Sequence, residues 1–266
     1  RAGLPFEIAD ELQPMSLCFR LAGVDTDHLE PLLMAHDATR YYHKDLHAAM
    51  EEARQAGLLP NFGGPWVVHG STIRKGEVSV NTTRFRGSSV DAAQLSEAEC
   101  AVREDVHAII AFMKKKLPQL ADAYLVESGT QIGIRESRRI QGLYTVTADD
   151  VLTYRIFEDT VALGAHPIDV HSATDSSQRA VFLSEPYGIP YRSLVPRGSG
   201  NLLVAGRCIS ATREALATIR VQAQCMALGE AAGSAAALCC QQGIGVAALD
   251  GATLRADLRR HGALVG

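Results

Sequence analysis

The sequence predicts a mixed α/β fold, with helices and strands partly segregated and not strictly alternating. Three observations carry this. Short runs of strand-like alternation cluster in the first half of the chain. Helix-period segments with start and stop signals stand between them. A single strand–helix unit follows near the end, over residues 201–240.

Taken in order, "MSLCFRLAGV" (15–24) predicts a strand. "HKDLHAAMEEARQAG" (43–57) predicts an amphipathic helix stopped at Gly57. "LLPNFGGPW" (58–66) reads as a turn-rich loop, and "WVVHG" and "EVSVNTTRFRG" as strands. "SEAE" (96–99) has the form of a capping box and is expected to open a long helix that Pro118 stops. "AYLVESG" and "GLYTVT" read as short strands. Thr147 with Asp150 forms a second box, opening a helix over "ADDVLTYRIFEDTVAL". Residues 164–200 are loop-rich, and a terminal helix begins near Asp250.

The strand–helix unit starts with "NLLVAGRCIS" (201–210). Leu202 to Ala205 form an unbroken apolar run, as a strand covered on both faces would. Gly206 permits close backbone approach. The helix expected from about Leu216 carries Ala223, Ala227, Ala231 and Ala235 at i, i+4 spacing. Small residues in that row suit tight packing. The unpaired amides near Thr218 to Val221, with Arg220 beside them, equally suit an electronegative cofactor oxygen.

The chain has 266 residues, 47% hydrophobic and 21% charged, enough for one large domain or two smaller ones. A net charge of −4 implies no general affinity for nucleic acid or anionic membrane. The most apolar stretch, Ala231 to Cys240, is about half the roughly 18 residues a bilayer span needs. Cysteines 18, 100, 208, 225, 239 and 240 match no metal-binding spacing and read as reduced thiols of a cytoplasmic protein. No signal peptide, P-loop, G-x-S-x-G or H-E-x-x-H is found.

Several residues are candidates for chemistry. "GIRESRRI" (133–140) sets Arg135, Arg138 and Arg139 around Glu136, either a solvated charged turn or an anion pocket built from guanidinium forks. Arg192 is a second cation, with Tyr187 and Tyr191 close by. His171 ends "AHPIDVH"; an imidazole with a pKa of about 6.5 suits the proton that accompanies hydride transfer. His166, Asp169 and His171 have the types of a two-His, one-carboxylate metal site, but no open-site context supports it, so no metal is expected. His43 and His47, spaced i, i+4, read as a solvated helix face.

"YGIPYRSLVPRGSGNLLVAGRCISATREALATIRVQAQCMALGEAAGSAAAL" resembles the C-terminal FAD-binding segment of the FAD-dependent oxidoreductase family of bacterial flavoproteins, within the glutathione-reductase-like two-domain class. "LQPMSLCFRLAGVD", "NTTRFRG", "GIRESRRIQGLYTVTADDV" and "HPIDVH" resemble the same family, so the likeness covers most of the chain. One departure is large: no G-x-G-x-x-G phosphate loop occurs in these residues. The resemblance therefore implies a substrate (cap) domain over 1–197 and, over 198–266, the returning strand–helix of an FAD-binding Rossmann-like domain, in a truncated chain. It implies that the flavin lies against Gly206, Arg207, Ile209, Ser210, Ile219, Arg220 and Val221, and that Arg138, His171, Tyr191 and Arg192 serve the chemistry. The expected activity is hydride transfer between FAD and a small, anionic organic molecule. Without the phosphate loop this chain alone is expected to hold FAD weakly or not at all. The alternative is a non-catalytic binding domain that keeps the flavoprotein fold. The oligomeric state and electron partner are open.

Overall fold

The computed structural model describes residues 2–29, 44–69, 72–172, 174 and 176–266. His43 of the His43/His47 pair lies outside them. In chain order the elements are β1 (Phe6–Glu7), β2 (Cys18–Ala22), α1 (Lys44–Gln55), β3 (Phe62–His69), β4 (Val78–Thr83), α2 (Ala92–Lys116), β5 (Tyr124–Ser128) and β6 (Arg139–Ile140). They continue with α3 (Ala148–Leu152), β7 (Thr160–Gly164), β8 (Ile168–His171), β9 (Gln178–Val181), β10 (Tyr187–Pro190), α4 (Arg213–Ile219), α5 (Gln222–Gln242) and α6 (Gly251–Arg260). The fold is mixed α/β. It divides into two compact units, one of Glu11–Arg135 with His171–Ala180, the other of Arg1–Asp10, Glu136–Val170 and Val181–Gly266. The division does not fall at 197/198. Val146, Val161, Ile189 and Leu194 share one apolar core with Ile209, Leu216, Leu228 and Leu254, which ties the 136–197 region to the C-terminal segment.

The unit that holds β2 is built on a four-stranded sheet in the order β3-β4-β2-β5. All its pairings are antiparallel, with Phe19 opposite both Val80 and Ser128. Along β2, Phe19 and Leu21 point inward between more exposed neighbours, the period-two pattern of a half-buried strand. Helix α2 meets this core with Ala98, Val102, Val106, Ile109, Ile110 and Met113, all buried on one stripe. Helix α1 adds Leu46, Met50 and Ala53. The segment expected as a loop over 58–66 is partly strand: Phe62 already pairs with Thr83, and a register shift before Trp66 absorbs Gly63, Gly64 and Pro65.

The start of α2 differs from expectation. Asp91 is its N-cap, accepting from the amides of Ala93 and Gln94, so the helix begins before "SEAE". Ser96 lies one turn inside, its hydroxyl donating back to the Ala92 carbonyl at 2.8 Å. Glu99 is taken up by Arg103 and by the amide of Ile132.

The unit that holds α5 has two small antiparallel sheets of its own, β1-β6 and β10-β7. The Thr147–Asp150 box forms with both halves present, but α3 stops at Leu152. Tyr154 then takes φ 54°, and the β-branched Thr160 and Val161 enter β7 to pair with β10, so the expected long helix is a short helix, a turn and a strand. The expected strand "GLYTVT" does not form. Its backbone is shared out singly, Leu143 to Val195, Tyr144 to Arg192 and Val146 to Ser210.

Among the described residues the segment 202–205 joins no sheet. Val204 alone donates to Leu194, at 2.9 Å, and Leu202 is 39% exposed, so the expected two-sided burial is not met. The single helix expected from Leu216 is two helices. Thr212 caps α4, Arg220 ends it, extended Val221 breaks the run, and α5 closes at Gly243 with φ 66°. On α5, Leu228, Ala231, Ala235 and Cys239 are buried, Ala227 is half-buried and Ala223 is exposed, so the alanine row packs only along its later turns. The terminal helix expected near Asp250 forms as α6, with Asp250 as its N-cap.

The two candidate caps of α2 are separable by mutation. Asp91→Ala should cost about 1 kcal/mol in urea unfolding, while Ser96→Ala should be neutral or slightly stabilising, because it removes only a back-bond within the helix.

Candidate functional site

The break between α4 and α5 is the centre of the candidate site. Val221 has no side-chain cap hydrogen bond to offer, so the first amides of a 21-residue helix, at Gln222, Ala223 and Gln224, have no side-chain cap. They carry the positive end of the helix dipole. The tight turn Gly206–Cys208 packs against this helix. Gly206 has φ 76°, a conformation L side chains rarely adopt, while a Cβ there would meet Cys225 Sγ only at 3.7 Å. Backbone conformation, not crowding, is what asks for glycine.

The sequence-predicted cofactor residues divide into two sets. Gly206, Arg207, Arg220 and Val221 come together at this turn and helix start. Ile209, Ser210 and Ile219 are buried behind it: Ile209 and Ile219 are fully enclosed, and the Ser210 hydroxyl is 2.9 Å from that of Thr145. They support the turn and offer no free face.

A charge cluster continues from Arg220. Its Nη2 donates to the Asp169 carbonyl at 3.1 Å and lies 3.6 Å from the Asp169 carboxylate. Burial pushes its guanidinium below the usual range; Asp169 and Glu136 oppose this, and Arg207 adds to it. Glu136 is fully enclosed and accepts from Arg139 Nη1 at 2.6 Å, with Arg213 Nε 3.6 Å from its second oxygen. Arg139 also donates to Glu7 on the paired strand β1, at 2.9 Å. The "GIRESRRI" run is thus not a solvated turn at Glu136 and Arg139. Arg213 was not singled out in the sequence; its place at the first turn of α4 is set by the Thr212 cap, and only the fold brings it to Glu136.

The residues expected to serve the chemistry are spread more widely. Arg138 is exposed, its guanidinium 5.6 Å from the Phe6 ring centre. His171 is buried in the unit that holds β2, with Nδ1 2.9 Å from Arg84 Nη2. Because a guanidinium only donates, Nδ1 is the acceptor in this contact. Tyr191 is 2% exposed and donates to the Val246 carbonyl at 2.8 Å; burial, with the neighbouring Cys239, pushes its phenol up. Tyr187 is likewise enclosed, 2.9 Å from the Thr218 hydroxyl. Arg192 makes two bonds to Asp159, at 2.9 and 3.1 Å, and its guanidinium lies 5.2 Å from the Tyr144 ring centre. It lines a cavity of about 360 Å³ together with Asp159, Glu158 and Asp250. His166 Nδ1 is 2.8 Å from the Pro167 carbonyl. Among the described residues no group of three or more His, Cys, Asp or Glu is placed to hold a metal ion, and no helix is long and apolar enough to cross a membrane.

The family model described as "FAD dependent oxidoreductase" matches residues 1–258, and the chain belongs to that family. Flavin-linked redox chemistry is its function at that level. No curated protein and no solved structure matches the chain.

The residues present fit part of FAD. The uncapped amides at 222–224 and the Gly206 turn can receive the electron-rich edge of an isoalloxazine ring. No G-x-G-x-x-G loop is present among the 266 residues for the pyrophosphate. Tyr191 is a packing group in this geometry. Tyr191→Phe should therefore lower stability by about 1 kcal/mol in urea unfolding, through the unpaired Val246 carbonyl. An unchanged midpoint would remove that assignment.

Proposed function

We propose that this chain contributes the flavin-ring and substrate-binding parts of an oxidoreductase that moves a hydride between FAD and a small organic anion. The observation that carries the reading is the uncapped N-terminus of α5 beside the Gly206 turn, within a chain of the FAD-dependent oxidoreductase family. When bound, FAD supplies the hydride chemistry. Gly206, Arg207, Arg220 and Val221 hold the ring edge, and Ile209, Ser210 and Ile219 keep that turn rigid. The helix dipole favours the charge that develops there on reduction. Arg138, exposed beside Phe6, is a surface cation that attracts an anion towards the unit. His171 is assigned the proton that accompanies hydride transfer.

The absent phosphate loop has a consequence for affinity. FAD titrated into the 266-residue chain, followed by flavin fluorescence, should give a dissociation constant in the micromolar range or weaker, about −8 kcal/mol at best. A yellow protein purified with FAD at stoichiometric occupancy would overturn this. No binding at any concentration would instead favour the non-catalytic domain.

A further inference from the structure

The cavity of about 360 Å³ that Arg192 lines lies at the start of α6. None of the residues assigned to the flavin borders it, and all that do belong to the unit that holds α5. One part of its lining is an ion pair. Arg192 donates through Nε to Asp159 Oδ2 at 2.9 Å and through Nη2 to Oδ1 at 3.1 Å, and its amide donates to Oδ2 at 3.2 Å. Another part is the helix start. Asp250 caps it, accepting from the amides of Ala252 and Thr253. A Cβ at Gly251 would fall 2.4 Å from Asp159 Cβ, so only glycine lets α6 begin this close to Asp159. Leu143 and Leu249 add apolar surface. Glu158 is exposed, and its carboxylate has no hydrogen-bond or ion-pair partner among the described residues.

Charge, size and spread select a ligand class. Glu158, Asp159 and Asp250 face one guanidinium, a surplus of two negative charges. Arg192 already has two nitrogens on Asp159, so the lining disfavours an anion. A water molecule takes about 30 Å³, and the space is far larger than a single ion fills. Among the described residues no three acidic groups converge to hold a metal ion, so the negative charge is distributed over the lining. We propose that this cavity binds an aliphatic diammonium ion. Glu158 and Asp250 receive the two ammonium groups, and the methylene chain packs on Leu143 and Leu249. Each ammonium brings three donors, and Asp250 Oδ1 accepts only from Ala252, which leaves it a lone pair for one of them. The site is independent of the flavin reading and shares no residue with it.

The probe is 1,4-diaminobutane dihydrochloride, titrated into the 266-residue chain at neutral pH while the NMR shifts of the Gly251 and Ala252 amides are followed. n-Butylammonium chloride, 1,4-butanediol, magnesium chloride and sodium chloride are the comparators, the salts at equal ionic strength. Diaminobutane should move both amides saturably. Butylammonium should bind about threefold more weakly, the worth of one ion pair that water still reaches. Butanediol and the two metal salts should give no saturable shift. Glu158→Gln should weaken diaminobutane about threefold. Asp250→Asn should do the same, and it keeps a side chain able to cap α6, so the helix start survives. Diaminobutane behaving as sodium chloride does would overturn the proposal. Butylammonium binding as tightly as diaminobutane would overturn it, since a single charge would then suffice. So would saturable shifts with magnesium, which would make this a metal site, or unchanged diaminobutane binding in both variants.

Discussion

A carboxylate with no exposure to water has to be compensated inside the protein, and Glu136 is that carboxylate. Its partner Arg139 also holds Glu7, so one buried charge ties strand β1 to strand β6. Its other side faces Arg213 on the first turn of α4. Three segments distant in sequence are thereby set against one another. Removing Glu136 would leave buried guanidinium groups facing each other, which costs more than the pair contributes. With α4 fixed at its start, its end at Arg220 is fixed too, and the chain must turn at Val221 before α5 can begin.

That turn shapes the candidate site. A helix that starts on an extended, β-branched residue has no side-chain oxygen to cap it, and the amides that follow are left for something else. Gly206 brings a second backbone segment to the same place. Burial pushes the thiols of Cys208 and Cys225 nearby up, against the lowering effect of Arg207.

Much of this was legible in the sequence where one local signal had no competitor. The Thr147–Asp150 box is met, and the terminal helix begins at Asp250 as expected, because in each case the acceptor side chain at the helix start has no local rival. "SEAE" failed as a helix start because Asp91 supplies an acceptor one turn earlier. The run after Leu152 failed because apolar periodicity cannot register that Thr160 and Val161 have a strand partner in β10. Gly206, Arg207, Arg220 and Val221, singled out in the sequence from the glycine and the helix start, lie together at the α4–α5 break. Arg213 was not singled out, since its role depends on a carboxylate 77 positions away in the chain. Tyr191 and Arg192 looked like free functional groups, and only the fold shows each already bonded, to Val246 and to Asp159.

Hydrogen exchange at single amides of α5 tests the central claim most directly. With FAD in large excess over the chain, the amides of Gln222, Ala223 and Gln224 should exchange more slowly than without it, while those at the exposed C-terminal end of α5 stay unchanged. Equal exchange at 222–224 in the presence and absence of FAD would contradict the assignment of this helix start to the flavin.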